Sequence, residues 1–133
     1  MDINFNTNED FNKLQTSDLR KKLHKIYQGG GEKKIKKIHA KGKLTARERI
    51  AFLLDSDEAA IEIGAFAGEG MYEEHGGCPS GGVVVKIGHV SGKQCIGVAN
   101  DATVKAGAWF PITAKKNLRS QEATMESKIP IIY

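Results

Sequence analysis

The stretch from Ile96 to Arg119 constrains this chain most. The apolar run Ile96-Gly97-Val98-Ala99 breaks at the polar pair Asn100-Asp101, crosses a small-residue loop, and meets Pro111, which opens a helix. A strand that ends in a tight turn and hands over to a helix N-terminus is how α/β proteins bring backbone N–H groups to a ligand. That geometry alone is generic, so the rest of the chain must narrow it.

Helices are expected first and strands after them. Leu19, Leu23, Ile26 and Tyr27 follow the i, i+4, i+7, i+8 spacing of one helical face, and Gly29-Gly30-Gly31 ends that helix. A short basic helix holds Ile35 and Ile38 until Gly42 breaks it. Thr45-Ala46-Arg47-Glu48 matches a capping box, with Ile50, Leu53 and Leu54 as the buried stripe behind it and Asp55-Ser56-Asp57 as the stop. Ile61 and Ile63 alternate with Glu62, the pattern of a half-buried strand.

Residues 64–82 carry seven glycines and predict a long loop over the surface. Val83–Ile87 and Gln94–Ala99 read as two strands joined as a hairpin through Ser91-Gly92-Lys93. Ala114, Leu118 and Met125 mark the face of a later helix, and Ile129-Pro130-Ile131-Ile132-Tyr133 begins another strand. A buried strand needs neighbours on both sides, so the chain is expected to be the front part of a larger domain.

Composition excludes several classes. At 133 residues and 40% hydrophobic content the chain has the size and makeup of one modest globular domain. No apolar run approaches the roughly 20 residues that span a bilayer, and Met1–Asp10 has neither the basic, apolar pattern of a secretory signal nor an Arg-rich transit pattern. Cys78 and Cys95 are too few for a disulfide framework and read as free thiols in a reducing cytoplasm.

Charge is unevenly spread. Arg20 to Arg49 holds 12 Lys or Arg against Glu32 and Glu48, a local charge of +10 in a chain whose total is +4, leaving −6 elsewhere. That asymmetry suits an anionic partner: nucleic acid, a phosphate-rich cofactor or an acidic protein face, with solvated helix faces as the plain alternative. Nucleic-acid modules often add stacking aromatics, and the basic stretch has only Tyr27.

Most local motifs carry little chemistry. Glu73, Glu74, His75 and Cys78 are metal-ligand types, but no second ligand pair stands elsewhere at zinc spacing, so no metal is expected. Cys95 sits in an apolar strand, the setting of a structural thiol. Gly29–Gly31 lacks the Gly-Lys-Ser/Thr ending of a phosphate loop. Asp101 has the chemistry for acid–base work, but an Asn-Asp turn is more often structural. No catalytic residue is assigned. Lys43, Arg47 and Arg49 surround a helix N-terminus, where positive charge opposes the helix dipole and therefore needs an anion, either a ligand phosphate or a carboxylate of the same chain.

Specific strings go further: Gly-Gly-Gly-Glu-Lys at 29–33, Gly-Lys-Leu-Thr-Ala-Arg-Glu-Arg-Ile at 42–50, Val-Ser-Gly-Lys at 90–93, Ala-Asn-Asp-Ala-Thr-Val-Lys at 99–105 and Pro-Ile-Thr-Ala-Lys-Lys at 111–116. On these, the chain from about Gln28 to Tyr133 resembles the N-terminal carboxyltransferase domain of biotin-dependent acyl-CoA carboxylases. The loop Met71-Tyr72-Glu73-Glu74-His75-Gly76-Gly77-Cys78-Pro79 looks closer to methylcrotonyl-type or geranyl-type enzymes than to propionyl-type ones. Ala106 departs from the family's usual glycine, which is tolerable if its φ is negative.

The resemblance implies a crotonase-like (ClpP/crotonase) α/β fold, truncated, with residues 1–27 as an N-terminal helical segment and 28–133 as the front portion of the N-terminal carboxyltransferase domain. It implies transfer of a carboxyl group from carboxybiotin, on a carrier protein or domain, to an acyl-CoA, 3-methylcrotonyl-CoA before propionyl-CoA or geranyl-CoA. The reading of another class is a non-catalytic CoA-binding or assembly module. Implied partners are the acyl-CoA, a biotin carboxylase or carrier subunit, and further copies of the β subunit, with no nucleic acid and no membrane. Lys43, Arg47 and Arg49 are the implied CoA-phosphate contacts, and Ala102, Thr103 and Lys105 line the implied thioester or pantetheine path. The family's Gly-Gly oxyanion peptide follows the strand that begins at Ile129, so this length alone is expected to be inactive.

Overall fold

A computed structural model describes residues 3–133. The chain forms α1 (Ile3–Tyr27), α2 (Glu32–His39), α3 (Ala46–Leu53), β1 (Ile61–Glu62), β2 (Val83–Val90), β3 (Lys93–Asn100), α4 (Pro111–Ser127) and β4 (Ile131–Ile132). The sheet runs β1-β2-β3-β4. The first three strands are antiparallel, and β4 joins parallel to β3 with Ile131 opposite Ile96. None of the described helices is long and apolar enough to cross a membrane.

The two sheet faces carry separate cores. Ala46, Ile50 and Leu54 of the α3 segment pack on Val84 and Ala99. Val83, Val85, Ile96 and Val98 point the other way, toward Ala123 of α4 and toward Ile129 and Ile131. Covered on both faces, β2 reads as an apolar run instead of an alternation. Its turn with β3 is two residues, Ser91 (φ 49) and Gly92 (φ 76), both left-handed as a tight hairpin requires. Asp55, just past α3, accepts both turn N–H groups at 2.8 Å, and those bonds hold its carboxyl below the usual carboxylate range.

The capping box closes as the sequence predicts. Thr45 Oγ1 accepts from Glu48 N, and Glu48 Oε2 accepts from Thr45 N at 2.7 Å. The Thr45 N–H bond and the contact with His39 keep the Glu48 carboxyl below its usual range. Thr45→Ala removes one side of the box and is expected to cost about 1 kcal/mol in a urea melt, with α3 reporting first in hydrogen exchange.

Several expectations are corrected. The first helix starts at Ile3, and of its expected face only Ile26 is buried; Leu19 and Tyr27 are exposed. The strand at 61–63 turns its acid inward: Ile61 is 67% exposed, whereas the Glu62 side chain keeps only 7% and is held by Arg47. The glycine loop crosses the surface but dives in at its end, where Cys78 and Ser80–Gly82 are buried. On α4 the apolar markers face out, Leu118 at 58% and Met125 at 78%. The buried stripe is Thr113, Lys116, Asn117, Ser120 and Thr124. Asn117 Nδ2, Ser120 Oγ and Thr124 Oγ1 each donate to a carbonyl of the same helix, so small polar side chains pack on the sheet without stranding donors.

Candidate functional site

Three bonded clusters meet at the C-terminal end of β3. The first is the turn itself. Asp101 Oδ1 accepts from Thr103 N at 2.9 Å and from Thr103 Oγ1 at 2.6 Å, while Thr103 Oγ1 accepts from Gly30 N at 2.8 Å. The glycine triplet after α1 is thereby clamped on the loop 73 residues away. A Cβ on Gly30 would stand 1.8 Å from the Thr103 carbonyl oxygen, which only glycine avoids. Asp101 is therefore the structural aspartate of an Asx turn, and Asn100 Nδ2 braces the loop's far side on the Gly107 carbonyl at 2.7 Å.

The second cluster is a buried polar bracket. Arg47 grips Glu62 with both terminal nitrogens, one at 2.9 Å, reaches Ser80 Oγ at 2.9 Å, and lies 4.2 Å over the Tyr27 ring. Lys116 Nζ donates to the carbonyls of Gly64 (2.9 Å), Ser80 (2.8 Å) and Val83 (2.8 Å). Burial pulls the Lys116 ammonium down to about 8, opposed by the nearby Glu62 carboxylate. Both ends of the glycine-rich loop are thus tied to α3 and α4 by two cations and one acid.

The third cluster faces outward. Phe110 stacks on Tyr72 with ring centroids 4.3 Å apart, and the Lys105 ammonium sits 4.2 Å over the Phe110 ring. Lys105 (φ 46), Ala106 (φ 53) and Gly107 (φ 84) are consecutive left-handed residues. The negative φ at which Ala106 would be harmless is not realised, and a glycine would fit this backbone better. Relief of about 1 kcal/mol of left-handed strain, less about 0.5 kcal/mol of added unfolded-state entropy, predicts that Ala106→Gly raises stability by about 0.5 kcal/mol in chemical denaturation.

The six sequence-named residues separate. Lys43 and Arg49 are exposed, Arg49 on the wall of an apolar groove with Val98 and Tyr133, and Ala102 and Lys105 lie on the loop's outer side. Arg47 and Thr103 are turned inward and bonded. Sequence reasoning missed Glu62, Ser80, Lys116 and the Tyr72–Phe110 stack. The one available signal was the cost of Arg47 at a helix start, which Glu62 now explains. Cys78 and Cys95 are free, buried thiols whose pKa values burial pushes up. Among the described residues no three His, Cys, Asp or Glu side chains group as a metal would need.

Residues 37–133, which include α3, the whole sheet, the 101–110 loop and α4, match the carboxyl transferase domain. The chain belongs to the carboxyl transferase domain family. It is similar to the probable mitochondrial methylcrotonoyl-CoA carboxylase beta chain of Drosophila melanogaster, 47% identical over 116 residues, 87% of this chain and 20% of that one. Among solved structures, the beta subunit of P. aeruginosa geranyl-CoA carboxylase superposes with a TM-score of 0.81 at 30% identity, over 98% of this chain and 25% of that one. The transcarboxylase 12S hexamer crystallised with methylmalonyl-coenzyme A superposes with a TM-score of 0.79 at 30% identity, over 90% of this chain and 24% of that one. This carboxyl transferase segment spans about a fifth of the length of the curated relatives it matches. Its crotonase-like α/β fold is that of the carboxyltransferase beta subunits.

Proposed function

We propose that the chain is the front portion, at 28–133, of the N-terminal domain of a carboxyltransferase subunit of a biotin-dependent acyl-CoA carboxylase, with α1 as a helical extension. The substrate of the whole subunit is an acyl-CoA, 3-methylcrotonyl-CoA before propionyl-CoA or geranyl-CoA, because chains 47% and 44% identical to this one carry the methylcrotonoyl name. The observation that carries this reading is the 101–110 loop, braced from beneath by Asn100, Asp101 and Thr103 within a matched carboxyl transferase domain. Carboxybiotin on its carrier supplies the CO₂ unit when bound, and no residue described here is assigned to it.

The chain's own part is to hold the acyl-CoA. Lys43, Arg49 and Lys105 keep their charges in solvent, where the phosphates of CoA offer counter-charge. Arg47 and Thr103 support from within, and Ala102 leaves the loop's outer surface low beside the thioester path. The unit works with a biotin carboxylase or carrier subunit and with further copies of itself; hexamer assembly in transcarboxylase 12S supports the last point. The two free thiols suit a reducing compartment, read as cytoplasm.

Calorimetric titration of the folded chain with methylcrotonyl-CoA, propionyl-CoA and geranyl-CoA tests the reading. Saturable binding that weakens about tenfold in the Lys43/Arg49/Lys105 triple alanine variant is expected, because each phosphate contact is charge-assisted. Unchanged binding by that variant would move the CoA phosphates elsewhere. Absence of binding by a folded chain would favour the assembly-module reading.

A further inference from the structure

Asn100 ends β3 with half of its amide unused. Its Oδ1 is the one buried side-chain nitrogen or oxygen among the described residues without a hydrogen-bond partner. The orientation of the amide is fixed, because Nδ2 donates to the Gly107 carbonyl at 2.7 Å and turning the group over would set oxygen against oxygen. A buried acceptor without a donor is costly, so a donor belongs close to Gly107.

The surroundings narrow the donor to one group. Asn100 lines an open cavity of about 460 Å³ on the α4 side of the sheet, with Val83 and Val98 as its apolar floor. Asn117 Nδ2 on the wall is held by the Thr113 carbonyl at 2.9 Å, and Gln121 Nε2 and the Tyr133 hydroxyl satisfy each other at 2.8 Å. Arg49 reaches the wall from α3, but its guanidinium would have to give up water to enter an apolar space. Trp109 remains. Its indole N–H is neutral and makes no hydrogen bond among the described residues, its side chain stands 56% exposed at the rim, and it follows Gly107 by two residues. At the rim the ring leaves apolar surface in water and the cavity unfilled. Turned inward it buries that surface on two valines and finds the partner that a buried indole N–H requires. A cavity within the roughly 300–1,000 Å³ that holds whole ligands has ample room for one indole.

We propose that Trp109 is a latch: its indole turns from the rim into this cavity, packs on Val83 and Val98, and donates its N–H to Asn100 Oδ1. Latched, one amide grips the loop at two points, Gly107 through Nδ2 and Trp109 through Oδ1. The move is a side-chain rotation, so the clamp of Gly30 on Thr103 is left as it is. Unlatched, the cavity stands open beside the 101–110 loop, and any molecule that fills it competes with the indole. The latch rests on the fold and holds apart from the acyl-CoA reading.

The chain has one tryptophan, so its indole N–H gives a single cross-peak in the magnetic resonance spectrum of an isotope-labelled sample. In the folded chain that proton is expected to exchange with solvent about tenfold more slowly than in the urea-unfolded chain, the worth of one hydrogen bond. The ring protons are expected to show nuclear Overhauser contacts with the methyl groups of Val83 and Val98. Asn100→Ser withdraws the acceptor and is expected to return exchange to the unfolded rate. The ring-to-methyl contacts are read in the wild-type chain, so they decide the matter where Asn100→Ser fails to fold. Exchange at the unfolded rate in wild type, absence of contact with both valines, or protection unaltered in Asn100→Ser would each overturn the latch.

Discussion

Lys116→Met is expected to cost about 3 kcal/mol of stability at pH 7, because the carbonyls of Ser80 and Val83, in a buried setting, and that of Gly64 at its edge lose their side-chain donor. The loss reaches beyond α4. Gly64, Ser80 and Val83 lie at the two ends of the glycine-rich loop, so that loop is expected to exchange its amides faster in the variant while the β2–β3 hairpin stays protected. The pH dependence separates charge from packing. Folded Lys116 gives up its proton near pH 8, unfolded lysine near 10.5. Between those values the unfolded chain binds the extra proton, so the lysine's share of stability rises with pH. Urea melts across pH 7–10.5 are expected to show the gap between wild type and Lys116→Met widening in that window. A constant gap would mean that the three carbonyls replace water fully around the ammonium.

Arg47→Met is expected to cost about 3 kcal/mol or more, since it leaves the Glu62 carboxylate, 7% exposed, without its guanidinium. Adding Glu62→Gln should recover part of that loss, because a neutral amide still meets Ser80 Oγ and no charge remains buried. The recovery is the coupling energy of the pair, read from a double-mutant cycle. Additive single effects would show that Arg47 stabilises through its packing on Tyr27 alone.

These two residues show where sequence reading worked and where it ran out. Thr45 and Glu48 are three residues apart, and Ser91 and Gly92 are adjacent, so their cap and hairpin turn were legible as local chemistry. The α4 core face was not. Its buried stripe is threonine, lysine, asparagine and serine, and apolar periodicity pointed to Leu118 and Met125 instead. Glu62 looked like the wet side of a strand because its counter-ion lies 15 residues away. The candidate site was half legible: the strand-to-helix loop came through, while the clamp of Gly30 on Thr103 joins residues 73 apart in the chain.

The length of α1 against its single buried residue has a consequence for cooperativity. Ile26 ties only the last turn to the body of the chain, beside the glycine-rich loop, so the preceding six turns gain little from the core and melt as a unit of their own. Limited trypsin digestion at Lys13, Lys21 or Lys22 should therefore shed a peptide in the first minutes and leave a protease-resistant body with an unaltered thermal midpoint. A helix so loosely coupled is free to be captured or released without disturbing the loop that the rest of the chain holds still.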